Sequence, residues 1–301
     1  MRVKSIGITF LTVFAGVVAL TVLGAVKPWQ KGEKPKEFGC FSWSEEIIEE
    51  EENEALSGCI SQAGISVLYQ DFSKESLTLE DKRVEQFVAR MGKQKVKVYA
   101  LIGKAEWAYD KEGKELVEYL QCLVEYNQRN GDEKRIQGVM VDVEPYLLEE
   151  WDEGEQAREK LMEDYVSGIE RAYIYALQNQ LKFWVCIPTF YDSTNKDILE
   201  KLISYACDGV AVMNYNRRDE YGQMAMEVGF AREYGKEILC IYELQKPGKH
   251  ELEEINTYAN EGLKALWKSR ERLEKQFGYD KLGFAYHYYK PLKEMLEGEN
   301  P

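Results

Sequence analysis

Ile136-Gln137-Gly138-Val139-Met140-Val141-Asp142-Val143-Glu144-Pro145-Tyr146 reads as a β-strand. Side chains alternate along an extended chain. Val139, Val141 and Val143 therefore share one face, and Met140, Asp142 and Glu144 share the other. The valine face suits burial beneath helices. The opposite face carries two carboxyl groups, two residues apart, where the strand ends, because Pro145 has no N–H to give to a ladder. Acids on an interior face are costly unless something pairs or uses them. Asp142 and Glu144 are either salt-bridged core acids holding a loop or, the reading preferred here, part of a site.

On either side of this strand the chain alternates strand-like and helix-like segments. β-Branched and aromatic runs predict strands over 38–43, 65–70, 96–102, 183–187, 209–215, 238–242 and 282–288. Between them, apolar residues at helical spacing predict helices over 44–62, 79–91, 114–129, 155–178, 196–206, 224–234 and 251–277, with a short helix at the end. The first helix opens on a Ser44 cap with acids in its first turn. Parallel βαβ units follow from this order. Eight of them in about 265 residues match an α/β fold of the (β/α)8 TIM barrel type. An open doubly wound sheet normally carries a glycine-rich phosphate turn after its first strand, and none is present.

The 301 residues carry a formal net charge of −14 and no basic run in the body of the chain. That argues against nucleic acid and anionic lipid as partners and leaves a carbohydrate open. Residues 6–26 form an uncharged apolar run of 21 residues, preceded by Arg2 and Lys4 and followed by Lys27. The run is long enough to span a bilayer and longer than the usual core of a secretory signal. The expectation is a signal anchor over 1–26, or a cleaved signal peptide in its place. A polar linker follows over 27–37, then one barrel domain over 38–301. The lysines after the run do not by themselves place the barrel outside. A short tail before an apolar run, as in secretory chains, favours an extracytoplasmic, membrane-anchored protein, or a secreted one if the signal is cleaved. The six cysteines form no Cys-x-x-Cys pair and only two histidines are present, so no metal site and no cofactor is expected.

In such a barrel, sites lie at the carboxyl ends of the strands. Asp142 and Glu144 are at one such end. Tyr191, Tyr215, Asn216, Glu243 and His287 are at or near others, and Trp43 and Trp107 fall in loops on the same face. Two carboxyl groups flanked by aromatic rings are what glycosidic-bond cleavage needs. One acid protonates the leaving oxygen, a second group stabilises or attacks the oxocarbenium-like centre, and flat rings stack on sugars.

Gly138-Val139-Met140-Val141-Asp142-Val143-Glu144 resembles the fourth-strand motif of family 18 glycoside hydrolases, the chitinases and endo-N-acetylglucosaminidases, which reads Asp-x-x-Asp-x-Asp-x-Glu. Its last two acids match Asp142 and Glu144, and its first two fall on Gln137 and Met140. Met213-Asn214-Tyr215-Asn216 is similar to that family's sixth-strand Met-x-Tyr-Asp/Asn. The resemblance implies that Glu144 is the general acid. Asp142 would orient a 2-acetamido group that serves as the nucleophile, and Tyr215 would bond its oxygen. Met140 in place of an acid removes a charge that would tune Asp142.

Other readings compete. Glu144 after the fourth strand and Glu243 after the seventh fit the strand positions of acid/base and nucleophile in the large retaining glycosidase clan. That mechanism would need carboxyl groups about 5–5.5 Å apart. A carbohydrate-binding barrel without catalysis accounts for the acids missing at positions 137 and 140. Phosphate-ester or aldol chemistry on the cytoplasmic side would need phosphate ligands or a Schiff-base lysine, and of the nearby lysines Lys246 and Lys290 neither sits in a motif.

Overall fold

The computed structural model describes residues 38–49, 53–78 and 82–298. The apolar run at 6–26 and the linker at 27–37 lie outside the described residues. Among the described residues, no helix is long and apolar enough to cross a membrane.

Eight strands close into a barrel in sequence order. They are β1 (Phe38–Ser42), β2 (Val67–Asp71), β3 (Lys97–Ile102), β4 (Gly138–Val141), β5 (Lys182–Pro188), β6 (Gly209–Met213), β7 (Glu237–Glu243) and β8 (Leu282–His287). Every neighbouring pair is parallel, and closure pairs Phe38, Gly39 and Cys40 with Phe284, Ala285 and Tyr286. The helices, in chain order, are α1 (Asn53–Ala63), α2 (Lys74–Thr78), α3 (Lys82–Lys93), α4 (Lys114–Asn130), α5 (Glu155–Gln178), α6 (Tyr191–Thr194), α7 (Lys196–Tyr205), α8 (Ala225–Glu233), α9 (Gly262–Phe277) and α10 (Tyr289–Gly298).

Strand alternation sorts the apolar residues into two layers. Val139 and Val141 join the large cluster between the strands and the helices. Met140 joins a smaller cluster inside the barrel, with Phe41, Tyr69, Tyr99, Leu101, Trp184 and Ile241 among its members. The large rings need room. A Cβ on Gly39 would stand 2.6 Å from the Tyr69 ring, so the position has no side chain. By the same alternation Asp142, Glu144, Tyr215, Glu243 and His287 all fall on the interior side, above this plug. No disulfide joins the cysteines among the described residues.

Two helices are shorter than their patterns predict. The Ser44 hydroxyl does cap, accepting from the Glu46 N–H, but what it opens is a 3₁₀ turn, Glu45–Ile48, and α1 begins only at Asn53. The helix expected over 251–277 starts at Gly262. Residues just before it lie across the barrel mouth. The Asn256 amide donates to the Tyr215 carbonyl at 2.6 Å, the Tyr258 N–H donates to the Glu243 carbonyl at 2.9 Å, and Thr257 bridges to Glu243. Carbonyls at the strand ends need donors, and these tertiary bonds outweigh a modest local helix preference.

Candidate active site

At the carboxyl ends of the strands a cavity of about 1270 Å³ opens, lined by Asp142, Glu144, Tyr215, Glu243, His287 and Trp43 among others. Asn216 also lines it. The seven come from loops or strand ends after β1, β4, β6, β7 and β8. Trp107 and Tyr191 do not line it. Trp107 packs against the helix layer, and Tyr191, 1% exposed, is buried against Trp151 and Phe190.

The β4 wall carries the acids. The Asp142 N–H extends the ladder by donating to the Ile102 carbonyl at 2.7 Å. Its backbone is gripped by the next loop: a Cβ on Gly103 would stand 1.9 Å from the Asp142 carbonyl oxygen. Asp142 Oδ1 is buried and has no hydrogen-bond partner among the described residues. Burial, and then the charge of Glu144, push the Asp142 carboxyl up from the usual carboxylate range. The neighbouring His287 ring and a hydrogen bond with the Cys186 thiol oppose them. One carboxyl of the pair thus tends to hold its proton where an isolated aspartate would not. Glu144 accepts a hydrogen bond from the Tyr146 hydroxyl. Tyr146 in turn packs against Phe190 and Trp151, with ring centroids 5.3 and 6.3 Å away.

The opposite wall is built differently. Glu243, 2% exposed, accepts from the Leu244 and Gln245 N–H groups at 2.8 and 2.7 Å, and more weakly from the Gln245 side chain at 3.4 Å. Its Oε2 lies 2.8 Å from His287 Nδ1, and the Trp43 indole N–H donates to His287 Nε2 at 3.1 Å. These contacts assign the neutral tautomer with the proton on Nδ1, donated to Glu243. Burial alone would raise the Glu243 pKa, but the bonds from His287 and Gln245 outweigh it and hold the carboxyl below its ordinary range.

Between the walls, Tyr215 stands beside His287 with ring centroids 6.1 Å apart, and its hydroxyl makes no hydrogen bond with a described residue. The Asn216 side-chain oxygen Oδ1 accepts from the Arg218 N–H at 3.1 Å, holding the turn after β6.

Several lining residues carry no strong sequence signal. Tyr146 sits inside the acidic stretch, but its contact with Glu144 depends on the turn that Pro145 begins. Phe190, Leu147 and Lys104 line the cavity from loops that no local periodicity marks. Among the described residues no three His, Cys, Asp or Glu side chains come together as metal ligands.

No family model matches this chain, and no curated protein matches it. Solved structures do. A chitinase from Chromobacterium violaceum aligns at 13% identity over 88% of this chain and 99% of its own, with a TM-score of 0.52. A chitinase from Bacteroides thetaiotaomicron aligns at 13% identity over 88% of this chain and 98% of its own, with a TM-score of 0.52. The spore cortex-lytic enzyme SleL of Bacillus megaterium aligns at 14% identity over 90% of this chain and 75% of its own, with a TM-score of 0.51. At such identities the likeness is one of fold: a closed parallel barrel of eight strands with helices outside it.

Proposed function

We propose that the chain is an exported glycoside hydrolase, tethered to the membrane through its N-terminal segment and acting on a glycan that contains N-acetylhexosamine. The observation that carries this reading is the pair of acids at the carboxyl end of β4. Asp142 and Glu144 share the interior side of one strand and open into a large cavity, with the unbonded Tyr215 hydroxyl on the same lining. The solved chitinase structures with the same barrel support it.

In this mechanism protonated Glu144 gives its proton to the glycosidic oxygen as the C–O bond breaks. The substrate's acetamido oxygen attacks the anomeric carbon from the other face, forming a cyclic oxazolinium ion. Asp142 accepts a hydrogen bond from the acetamido N–H, and the Tyr215 hydroxyl donates to its oxygen. Water then opens the ring, with Glu144 taking the proton back. The raised pKa of Asp142 fits a pair that shares one proton through this cycle. The version with Glu243 as nucleophile is less well supported, because that carboxylate is already saturated by hydrogen bonds and faces His287.

The test is Glu144→Gln assayed on N-acetylhexosamine oligosaccharides, with thermal unfolding to check the fold. Loss of turnover with an unchanged midpoint is expected, and full activity in that variant would sink the mechanism. Export is tested by protease treatment of whole cells, which should digest the barrel.

One observation favours a second reading, a binding barrel that cleaves nothing. Met140 occupies the place of a charged residue in the resembling motif, and it is 0% exposed within the interior plug. Glycan binding by the intact chain without any turnover would support that reading.

A further inference from the structure

Glu144 is held from its own side of the cavity. Pro145 begins a 3₁₀ turn, Pro145–Leu147, which the Leu147 N–H closes on the Glu144 carbonyl at 3.1 Å. The turn brings the residue two positions on back beside the acid, and the Tyr146 hydroxyl donates to Glu144 Oε1. Among the described residues this is the only hydrogen bond to the Glu144 side chain, and Glu144 makes no ion pair. Glu144 and Tyr146 line the same cavity.

The Tyr146 ring has little freedom. It meets Phe190 and Trp151 edge to face, those two rings stand 5.9 Å apart, and the Arg158 guanidinium lies 5.6 Å from the Trp151 ring centre. Burial, and then the charge of Glu144, push the Tyr146 hydroxyl up from its ordinary pKa, so it stays a donor.

A proton donor needs two things from such a neighbour. Its proton must sit on the oxygen that faces the substrate, and the carboxylate left behind must be stabilised. A bond to Oε1 leaves Oε2 to carry the proton. As the Oε2–H bond breaks, the proton joins the glycosidic oxygen and the electron pair stays on the carboxylate, where the bond from Tyr146 becomes charge-assisted and stronger. A lysine or arginine in that place would favour the anion before the reaction starts. A hydroxyl adds no charge.

Resting on the glycan-hydrolase reading above, we infer that Tyr146 is the positioning residue of the proton donor. It fixes Glu144 and stabilises the carboxylate that forms as the leaving sugar is protonated.

The test is kcat/KM of Tyr146→Phe on two substrates. One is an N-acetylglucosamine oligosaccharide, whose sugar leaving group needs the proton. The other is the dinitrophenyl glycoside of chitobiose, whose phenolate leaves without it. The variant keeps the ring and lacks only the hydroxyl. It should lose about 10- to 100-fold on the oligosaccharide and no more than about twofold on the dinitrophenyl glycoside. Glu144→Gln should show the same split, larger. Both rates are read on one preparation, so a partly unfolded variant lowers them equally and leaves their ratio unchanged. Equal losses of Tyr146→Phe on both substrates, or no loss on either, overturn this inference, and the hydrolase reading stands if Glu144→Gln still shows the split. A Glu144→Gln variant without the split, or no turnover of either substrate by the unaltered chain, overturns both.

Discussion

Two walls of one cavity treat their carboxyl groups in opposite ways. On the β4 wall Asp142 keeps an oxygen without a partner among the described residues, and its pKa is driven up by burial and by Glu144. On the β7–β8 wall Glu243 is saturated by two backbone N–H groups and His287, and its pKa is held down. A protein leaves a buried polar atom unsatisfied only where something compensates, and in a cavity the compensating group can be a ligand. A saturated carboxylate braces the walls around it. In the function proposed above the β4 wall does the chemistry and the β7–β8 wall holds shape, and substitutions should separate the two.

The largest expected effect falls on the β4 wall. Glu144→Gln should lower kcat on a glycan substrate by about 10²–10⁴-fold, the usual worth of a positioned proton donor. Asp142→Asn should also lower turnover, yet leave the fold as stable or more so, since it removes a buried carboxyl group whose ionised form burial and Glu144 disfavour. Steady-state kinetics and urea unfolding on the same preparations check both halves.

The β7–β8 wall should answer in stability first. Glu243→Leu strands two N–H groups and the His287 N–H, each a buried donor, and should cost about 2–4 kcal/mol in urea unfolding. The pH dependence should differ in sign between the walls. The Glu243 pKa is lowered on folding, so its contribution is present above the unfolded carboxylate pKa and is lost as pH falls through the folded one. The Asp142 pKa is raised, so its effect runs the other way, and stability declines as pH rises through its folded pKa. Stability curves for Glu243→Gln that keep the wild-type acid limb would break the comparison.

Gly103→Ala probes what connects the walls to the scaffold. The new methyl would overlap the Asp142 carbonyl, so β3 and β4 must part. Overpacking of this kind costs about 1–3 kcal/mol, and because the strain falls on Asp142, turnover should drop along with the unfolding midpoint. A variant that loses stability and keeps its kinetics would show that the acid pair tolerates movement.

Much of this contrast is local in the chain. The two-residue period of β4 puts Asp142 and Glu144 beside Met140 and away from the valines, and Pro145 marks where the strand stops, so both the acid pair and its wall are readable from eleven residues. The barrel is readable for the same reason, as each βαβ unit has its own periodicity. The saturation of Glu243 is not readable, because its partners are the turn at Leu244–Gln245 and a histidine 44 residues on. Aromatic residues mislead when judged by strand position alone. Tyr191 follows β5 yet turns into the core, whereas Tyr146 and Phe190, neither marked in advance, line the cavity. The region before α9 has helical spacing, but the open carbonyls of Tyr215 and Glu243 pull it across the mouth, and a demand made by distant strand ends leaves no trace in local pattern.

Glu227 sharpens the comparison most, although its effect should be the smallest. It lies on α8, 0% exposed, with neither carboxyl oxygen partnered among the described residues, and it does not line the cavity. Burial, with a further push from Asp192, raises its pKa to about 8. If want of a partner alone made a site, Glu227 would be one. It differs from Asp142 in lining neither of the two cavities at the strand ends, so the missing partner is a cost, met by keeping the proton. The consequence can be measured. Between the unfolded carboxylate pKa and about 8 the folded chain holds one more proton than the unfolded chain at this residue. Stability therefore falls as pH rises across that window, by at most about 1.4 kcal/mol per pH unit from this one group. Glu227→Gln keeps the shape and removes the titration. It should flatten that part of the stability curve and leave glycan turnover at its wild-type value, whereas Asp142→Asn should flatten the curve and abolish turnover. If Glu227→Gln instead impaired turnover with an unchanged curve, an unpaired carboxyl group could no longer be sorted into cost or chemistry by whether a cavity lies in front of it.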